Sequence, residues 1–224
     1  MTGKKSNFRP IDETMIIEHL NWQLDVNAAL AELYKVLSSP ETSIEEITYV
    51  ILEQAKILTE SEHGFVAIIE PETRYLICPT LTAMLEKECN LDEENKRIIF
   101  PPSKNGSYAG LWGYALNTHT PFYTNAPFTH PAAMGVPPGH VPLGKYLAFP
   151  VMIGDEVGGM IALANSSRDY SDHDLMAIHR WAEFFTLAIQ RKRAADKLRI
   201  SEDKFRKLFE FAIDGIVLAD AQTG

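Results

Sequence analysis

Apolar residues recur at helical spacing through residues 12–38, at Ile16, Leu20, Leu24, Ala28, Ala29, Leu33 and Leu37, which predicts one long amphipathic helix. Ser38-Ser39-Pro40 stops it. Thr42-Ser43-Ile44-Glu45-Glu46 starts a second helix, with Ser43 as N-cap and Glu46, three residues on, as its capping-box partner. That helix is expected to bury Ile47, Val50, Ile51, Ala55 and Leu58. The period then changes: His63 to Ile69 reads as a strand, Glu70-Pro71-Glu72-Thr73 as a turn, and Arg74 to Pro79 as the hairpin partner. A polar, less regular stretch from Thr80 to Lys96 follows, then a short strand at Ile98-Ile99-Phe100. Gly106 to Leu116 reads as helical despite three glycines, which there allow close approach to the sheet or a ligand. Pro121 to Thr124 reads as a strand.

Asn125 to Pro150 is a long loop, punctuated by proline and glycine, that ends in an apolar run and contains His130 and His140. Long ordered loops without secondary structure of their own usually form part of a binding site. Two apolar strands follow, Lys145 to Ile153 and Val157 to Ala164, joined by the polar turn Gly154-Asp155-Glu156 and expected in the middle of the sheet. Ser171 caps a final helix with Asp174 as capping-box partner, and its stripe is Leu175, Ile178, Trp181, Phe185, Ala188 and Ile189. Past Gln190 the apolar positions thin to Ala194, Ala195 and Leu198 among charges, as in a coiled coil or signalling linker.

Composition narrows the function classes. The 224 residues are 46% hydrophobic and 23% charged, ordinary for one globular domain with helical extensions. A net charge of -9 and a pI near 5.3 argue against a nucleic-acid binder, and Arg191-Lys192-Arg193 reads as a solvated helix face. No apolar run is long enough to span a bilayer and no apolar signal core follows the first lysines, so the expectation is a cytoplasmic chain without a membrane segment. Cys78 and Cys89 are too few for a disulfide framework or a cysteine-rich zinc site, and are read as two half-buried thiols.

The element order, with Asn125, His130-Pro131, Gly135-Val136-Pro137-Pro138-Gly139-His140-Val141-Pro142-Leu143 and Leu147 to Val151, resembles a GAF domain, a small-molecule-binding sensor fold. The resemblance covers roughly Ile44 to Gln190, and Ala126 stands where the pattern often has Asp. It implies an α+β fold with an antiparallel sheet backed by helices and a long C-terminal signalling helix. Ser201 to Asp220 resembles the opening of a PAS domain. The resulting division is an N-terminal helix over 1–41, the GAF domain over 42–190, a helical linker over 191–204 and the start of a PAS domain over 205–224. This order resembles that of multidomain sensor histidine kinases and, less often, of cyclic-dinucleotide enzymes; the first implies downstream PAS and kinase domains. The apolar stripes of the N-terminal and exit helices are longer than one small sheet face can cover, so a parallel homodimer through the N- and C-terminal helices is expected. The fragment itself carries no enzyme motif.

Other GAF chemistries are weighed against named residues. The GAF enzymes that reduce methionine sulfoxide use more cysteines, bilin attachment would need a His after Cys where Pro79 follows Cys78, and the cyclic-nucleotide motif of phosphodiesterase GAF domains is not visible. Haem is open: Pro137 to Val151 resembles the segment in which haem-binding GAF domains place the proximal iron ligand, at His140, although Ala162 stands where those sensors carry a distal tyrosine. The alternatives for His140 are pinning its own loop through backbone hydrogen bonds, or reading another polar ligand. With His130 it lacks a third ligand for zinc. The expected ligand-binding set is Trp112, Tyr123, Asn125, His130, His140 and Tyr146, with ligand and cofactor unidentified.

Overall fold

The computed structural model describes residues 42–81, 99–136 and 138–211, together with Leu24, Asn27 and Ala31, which are helical and exposed. The rest of the expected N-terminal helix, Cys89, most of the 80–96 stretch, Pro137 and residues 212–224 lie outside the described residues.

Helix α1 (Ile44–Thr59) begins as its sequence dictates. The Ser43 hydroxyl accepts the Glu46 N–H at 3.1 Å, and the Glu46 carboxylate accepts the Ser43 N–H at 2.8 Å, so two orphan donors of the first turn are satisfied reciprocally. Ile47, Ile51, Leu52 and Ala55 face inward, while Val50 and Leu58 are half-buried at the edge of the same core. The chain turns at Glu60, left-handed at φ 53, into β1 (Ser61–Ile69). That strand starts two residues earlier than the sequence suggested. Its hairpin partner β2 is only Leu76–Ile77, because Arg74 is left-handed at φ 60 and cannot extend the strand. Strand β3 (Ile99–Phe100) pairs with β2.

Helix α2 (Gly110–Thr118) starts four residues later than expected. Gly106 and Gly110 have φ of 82 and 75, and Ser103, Asn105 and Ser107 close a hydrogen-bonded turn between β3 and the helix. Gly113 serves close approach: a Cβ there would stand 2.3 Å from the Tyr108 carbonyl oxygen. Strand β4 (Phe122–Thr124), a single 3-10 turn at Pro127–Thr129, β5 (Tyr146–Ile153) and β6 (Glu156–Ser166) complete the sheet before α3 (Asp172–Phe211).

The six strands are antiparallel in the order β3-β2-β1-β6-β5-β4. Both faces are covered, which is why β5 and β6 read as continuous apolar runs. Leu147, Phe149, Val151, Ile161 and Leu163 face α1 and α3, while Tyr146, Ala148, Met160, Ala162 and Ala164 face α2 and the loops. On the first face α3 contributes Ile178, Trp181 and Phe185, all fully buried and worth about 1.5 to 3 kcal/mol each. Gly159 lets that helix settle: a Cβ there would stand 2.5 Å from the Ala67 carbonyl oxygen and 3.2 Å from Phe185. Pro150, pairing with Met160, lies past the three β5 residues that meet β4, an edge where a missing N–H is tolerated.

Ser171 and Asp174 meet at the start of α3, but differently from the expected box. The buried Asp174 carboxylate accepts both the N–H and the hydroxyl of Ser171, at 2.9 and 3.0 Å. Arg168 engages the same carboxylate with two nitrogens at 2.9 and 2.7 Å, and reaches Glu60 with Nε at 3.2 Å. The carboxylate's charge makes Ser171 a donor. Cys78 is fully buried rather than half-buried, and burial pushes its thiol well above the usual range, so it stays protonated. Helix α3 runs unbroken through the expected limits at 190 and 204.

Candidate functional site

Small residues on the loop-facing side of the sheet leave space beneath α2 and the 125–144 loop. The register places Ala164 between Tyr146 on β5 and His63 on β1, and Ala162 between Ala148 and Phe65 one row on. Over these alanines lies a cavity of about 260 Å³. Its walls are Phe65, Leu76, Leu111 and Trp112, its roof is Pro127, Phe128, the 133–136 stretch, Val141 and Leu143, and His63, His140 and Tyr146 supply polar groups. Among the described residues no Asp, Glu, Lys or Arg lines it. The volume is slightly below the range of about 300 to 1,000 Å³ of drug-sized pockets, which suits a small guest.

The roof is tied down by asparagines, each pairing with backbone as another strand would. Asn125 Oδ1 accepts the Tyr170 N–H at 2.9 Å and its Nδ2 donates to the Tyr170 carbonyl at 3.1 Å, fixing the loop's start to the approach of α3. Asn165 Oδ1 accepts the Gly144 N–H at 2.8 Å and its Nδ2 donates to the Pro142 carbonyl at 2.8 Å, fixing the loop's end to β6. Asn117 does the same to both backbone groups of Tyr108, at 3.0 and 2.8 Å.

Three of the six expected site residues, Trp112, His140 and Tyr146, line the cavity. The other three stand elsewhere. Asn125 is a loop clamp, and Tyr123 packs against the helix-side core beside Asp172, whose negative charge raises its phenol above the usual range. His130 stacks on Phe122 at 5.0 Å and meets Tyr114 edge-on, and its Nδ1 accepts the Ala132 N–H at 3.2 Å.

His140 is half-buried and makes one hydrogen bond, from Nδ1–H to the Val141 carbonyl at 2.7 Å. A carbonyl only accepts, so Nδ1 carries a proton, and in the neutral tautomer that this bond selects, the lone pair lies on Nε2. Tyr146 is 6% exposed and its hydroxyl has no hydrogen-bond partner among the described residues. Burial holds that phenol far above its ordinary value, so it stays neutral. Among the described residues no three His, Cys, Asp or Glu side chains group to hold a metal ion, and no helix is long and apolar enough to cross a membrane.

Residues 41–190 match the GAF domain family. The chain belongs to that family. Among curated proteins, the GAF chain is 28% identical over 204 residues to the methyl sulfide methyltransferase-associated sensor of Methanosarcina acetivorans, a match covering 88% of this chain and 19% of that protein. Among solved structures it resembles the GAF domain of a phosphoenolpyruvate-protein phosphotransferase from Coxiella burnetii, with TM-score 0.62 and 13% identity over 80% of this chain and 98% of that one. The corresponding Acinetobacter domain gives TM-score 0.58 and 13% identity over 79% and 97%. Free methionine-R-sulfoxide reductase from Neisseria meningitidis gives 0.54 and 9% over 84% and 97%. At these identities the structural likenesses show the fold alone.

Several residues of the site were not singled out from the sequence. His63, Phe65, Leu76 and Leu111 line the cavity, and Asn117 and Asn165 clamp its surroundings. The available signal was the alternation of Ala162 and Ala164 with bulky Ile161 and Leu163 in a strand, which marks a face kept open.

Proposed function

We propose that this GAF domain is the sensory input module of a multidomain signal-transduction protein, a sensor histidine kinase, that binds a small molecule in the cavity over Ala162 and Ala164. The curated relative is itself described as a sensor. The observation that carries the reading is that one structure joins an apolar cavity, floored by small residues, to a helix whose first half is core and whose second half leaves the domain. The occupant shifts the populations of two loop arrangements, and α3 passes the bias onward. A thermal-shift screen of small metabolites tests it: a binder should stabilise the parent and fail to stabilise Ala162→Leu, which fills the floor. A binder indifferent to that substitution sits elsewhere and overturns the assignment. A chain that binds nothing would be a dimerisation scaffold.

The output is a parallel homodimer through α3. Leu187, Ala194, Leu198, Ser201, Phe205 and Leu208 follow one another at intervals of seven, four, three, four and three residues, a two-stranded heptad seam. Leu187, Leu198, Phe205 and Leu208 are exposed by 58, 62, 60 and 63% in the single chain, as seam residues are before pairing. Sedimentation should show a dimer that Leu198→Glu with Phe205→Glu converts to monomer; a monomeric parent at tens of micromolar sinks this part. Residues 205–224 open a PAS domain in this reading, and a coding sequence without a kinase core beyond Gly224 would refute the kinase assignment.

Haem is a second reading, favoured by the tautomer of His140. A ring whose Nδ1–H is held by a backbone carbonyl presents Nε2 as a metal ligand does. His140 would be the axial ligand, the iron would supply redox or gas response, and the 126–144 roof would have to open for the macrocycle. Protein grown with haem should then show a Soret band that His140→Ala abolishes; a colourless parent refutes this reading.

A further inference from the structure

Among the described residues, α3 has its last buried side chain at Ile189. One turn later Arg193 is half-buried and its Nη2 donates to the carbonyl of Ile69 at 2.9 Å. Ile69 is the fully buried last residue of β1, and its register partner Leu76 is a wall of the cavity. The turn joining the two is held from the cavity side as well. The Tyr108 hydroxyl donates to the Arg74 carbonyl at 2.6 Å, and the Tyr108 ring packs at 5.7 Å against Trp112, another cavity wall.

One short turn is therefore gripped by cavity walls on one side and by the outgoing helix on the other. We propose that Arg193 is the latch through which the cavity controls that helix. With the walls at rest, Ile69 accepts Arg193 and the helix is fixed one turn beyond the core. An occupant that displaces Leu76 or Trp112 moves the turn, breaks the bond and frees the helix beyond Ile189. The surroundings suit a bond that breaks: burial disfavours the charged guanidinium, Glu156 attracts it and Arg74 repels it. This rests on the reading of the cavity as the sensory site.

Hydrogen exchange of residues 194–208 in the full chain tests the latch. Ala162→Leu mimics occupancy, with Ala162→Val carrying the comparison should leucine disrupt folding. In the native background the cavity variant should change exchange of this segment by about threefold or more. In an Arg193→Met background, which keeps the stem and removes the donor, it should change nothing, and Arg193→Lys should restore the response. Were Arg193 only a structural tie, methionine would shift exchange in both cavity states and leave their ratio intact; that result overturns the latch while the sensory reading stands. No response to either Ala162 variant in the native background removes the sensory reading, and the latch with it.

Discussion

Replacing Asn165 by alanine should cost about 2 to 4 kcal/mol, and the magnitude follows from two separable effects. Its amide makes two hydrogen bonds of 2.8 Å, to the Gly144 N–H and the Pro142 carbonyl. At about 0.5 to 1.5 kcal/mol net apiece, they contribute roughly 1 to 3 kcal/mol. The residue also sits at φ 57, a left-handed conformation that asparagine tolerates and that costs alanine about 1 kcal/mol more. Asn165→Gly loses the bonds but not the conformational freedom, so it should be more stable than Asn165→Ala by about 1 kcal/mol. Urea unfolding followed by tryptophan fluorescence, in which the fully buried Trp181 reports the core, measures both. An alanine variant within about 0.5 kcal/mol of the parent would refute the reasoning and show that Val141 and Leu143 hold the roof by burial alone. Equal stabilities of the glycine and alanine variants would remove the conformational part.

Three further outcomes are expected. His140→Ala should destabilise by only about 0.5 to 1.5 kcal/mol, because the one bond lost goes to a neighbouring carbonyl on a half-buried ring; a larger drop in chemical denaturation would make His140 the main pin of the loop. Arg168→Ala should cost about 1 to 3 kcal/mol, since it strips two donors from an Asp174 carboxylate that is 1% exposed while the two Ser171 donors remain, and a variant that melts with the parent would contradict this. Glu60 has its folded-state value lowered, first by the Ser167 hydroxyl and then by Arg168, so its contribution is full above its unfolded value and fades as pH falls through the folded one. Glu60→Gln should flatten that acid limb in a melting-temperature profile, and parallel profiles would count against it.

Features governed by near neighbours were legible in the sequence. The Ser43 and Glu46 box needs only three residues and a helix, and β5 and β6 announce themselves by apolar runs around a polar turn. The motif around the long loop was enough to identify the family, and the expected GAF-like fold with its antiparallel sheet and long final helix is what the chain forms. The site was harder because its partners are remote. Asn125 stands in the motif as an expected ligand residue, yet its amide is committed to Tyr170, 45 positions away. His130 and His140 share a loop, but aromatic packing on Phe122 and Tyr114 draws one away while the other reaches the cavity. The hairpin shortened to two residues in β2 because Arg74 adopts a left-handed backbone, which nothing in its side chain announces.

The basic trio of α3 shows how much one tertiary contact changes the meaning of a charge run. As a solvated face, Arg191, Lys192 and Arg193 would be interchangeable. In the structure Lys192 pairs along the helix with Asp196 at 3.4 Å, a contact worth little on an exposed surface, while Arg193 turns to a sheet carbonyl. Upstream, Trp181 and Phe185 make the helix part of a close-packed core that does not deform continuously. Downstream, among the described residues, no side chain of α3 is buried. A rigid helix converts a small change at its last point of support into a larger one farther out. A tilt of about 10° at Arg193 moves Phe205, about 18 Å along the axis, by roughly 3 Å. In the proposed dimer that displacement is comparable to a side chain's width, enough to change which residues meet in the seam, so a cavity need only loosen one bond for the seam beyond it to repack.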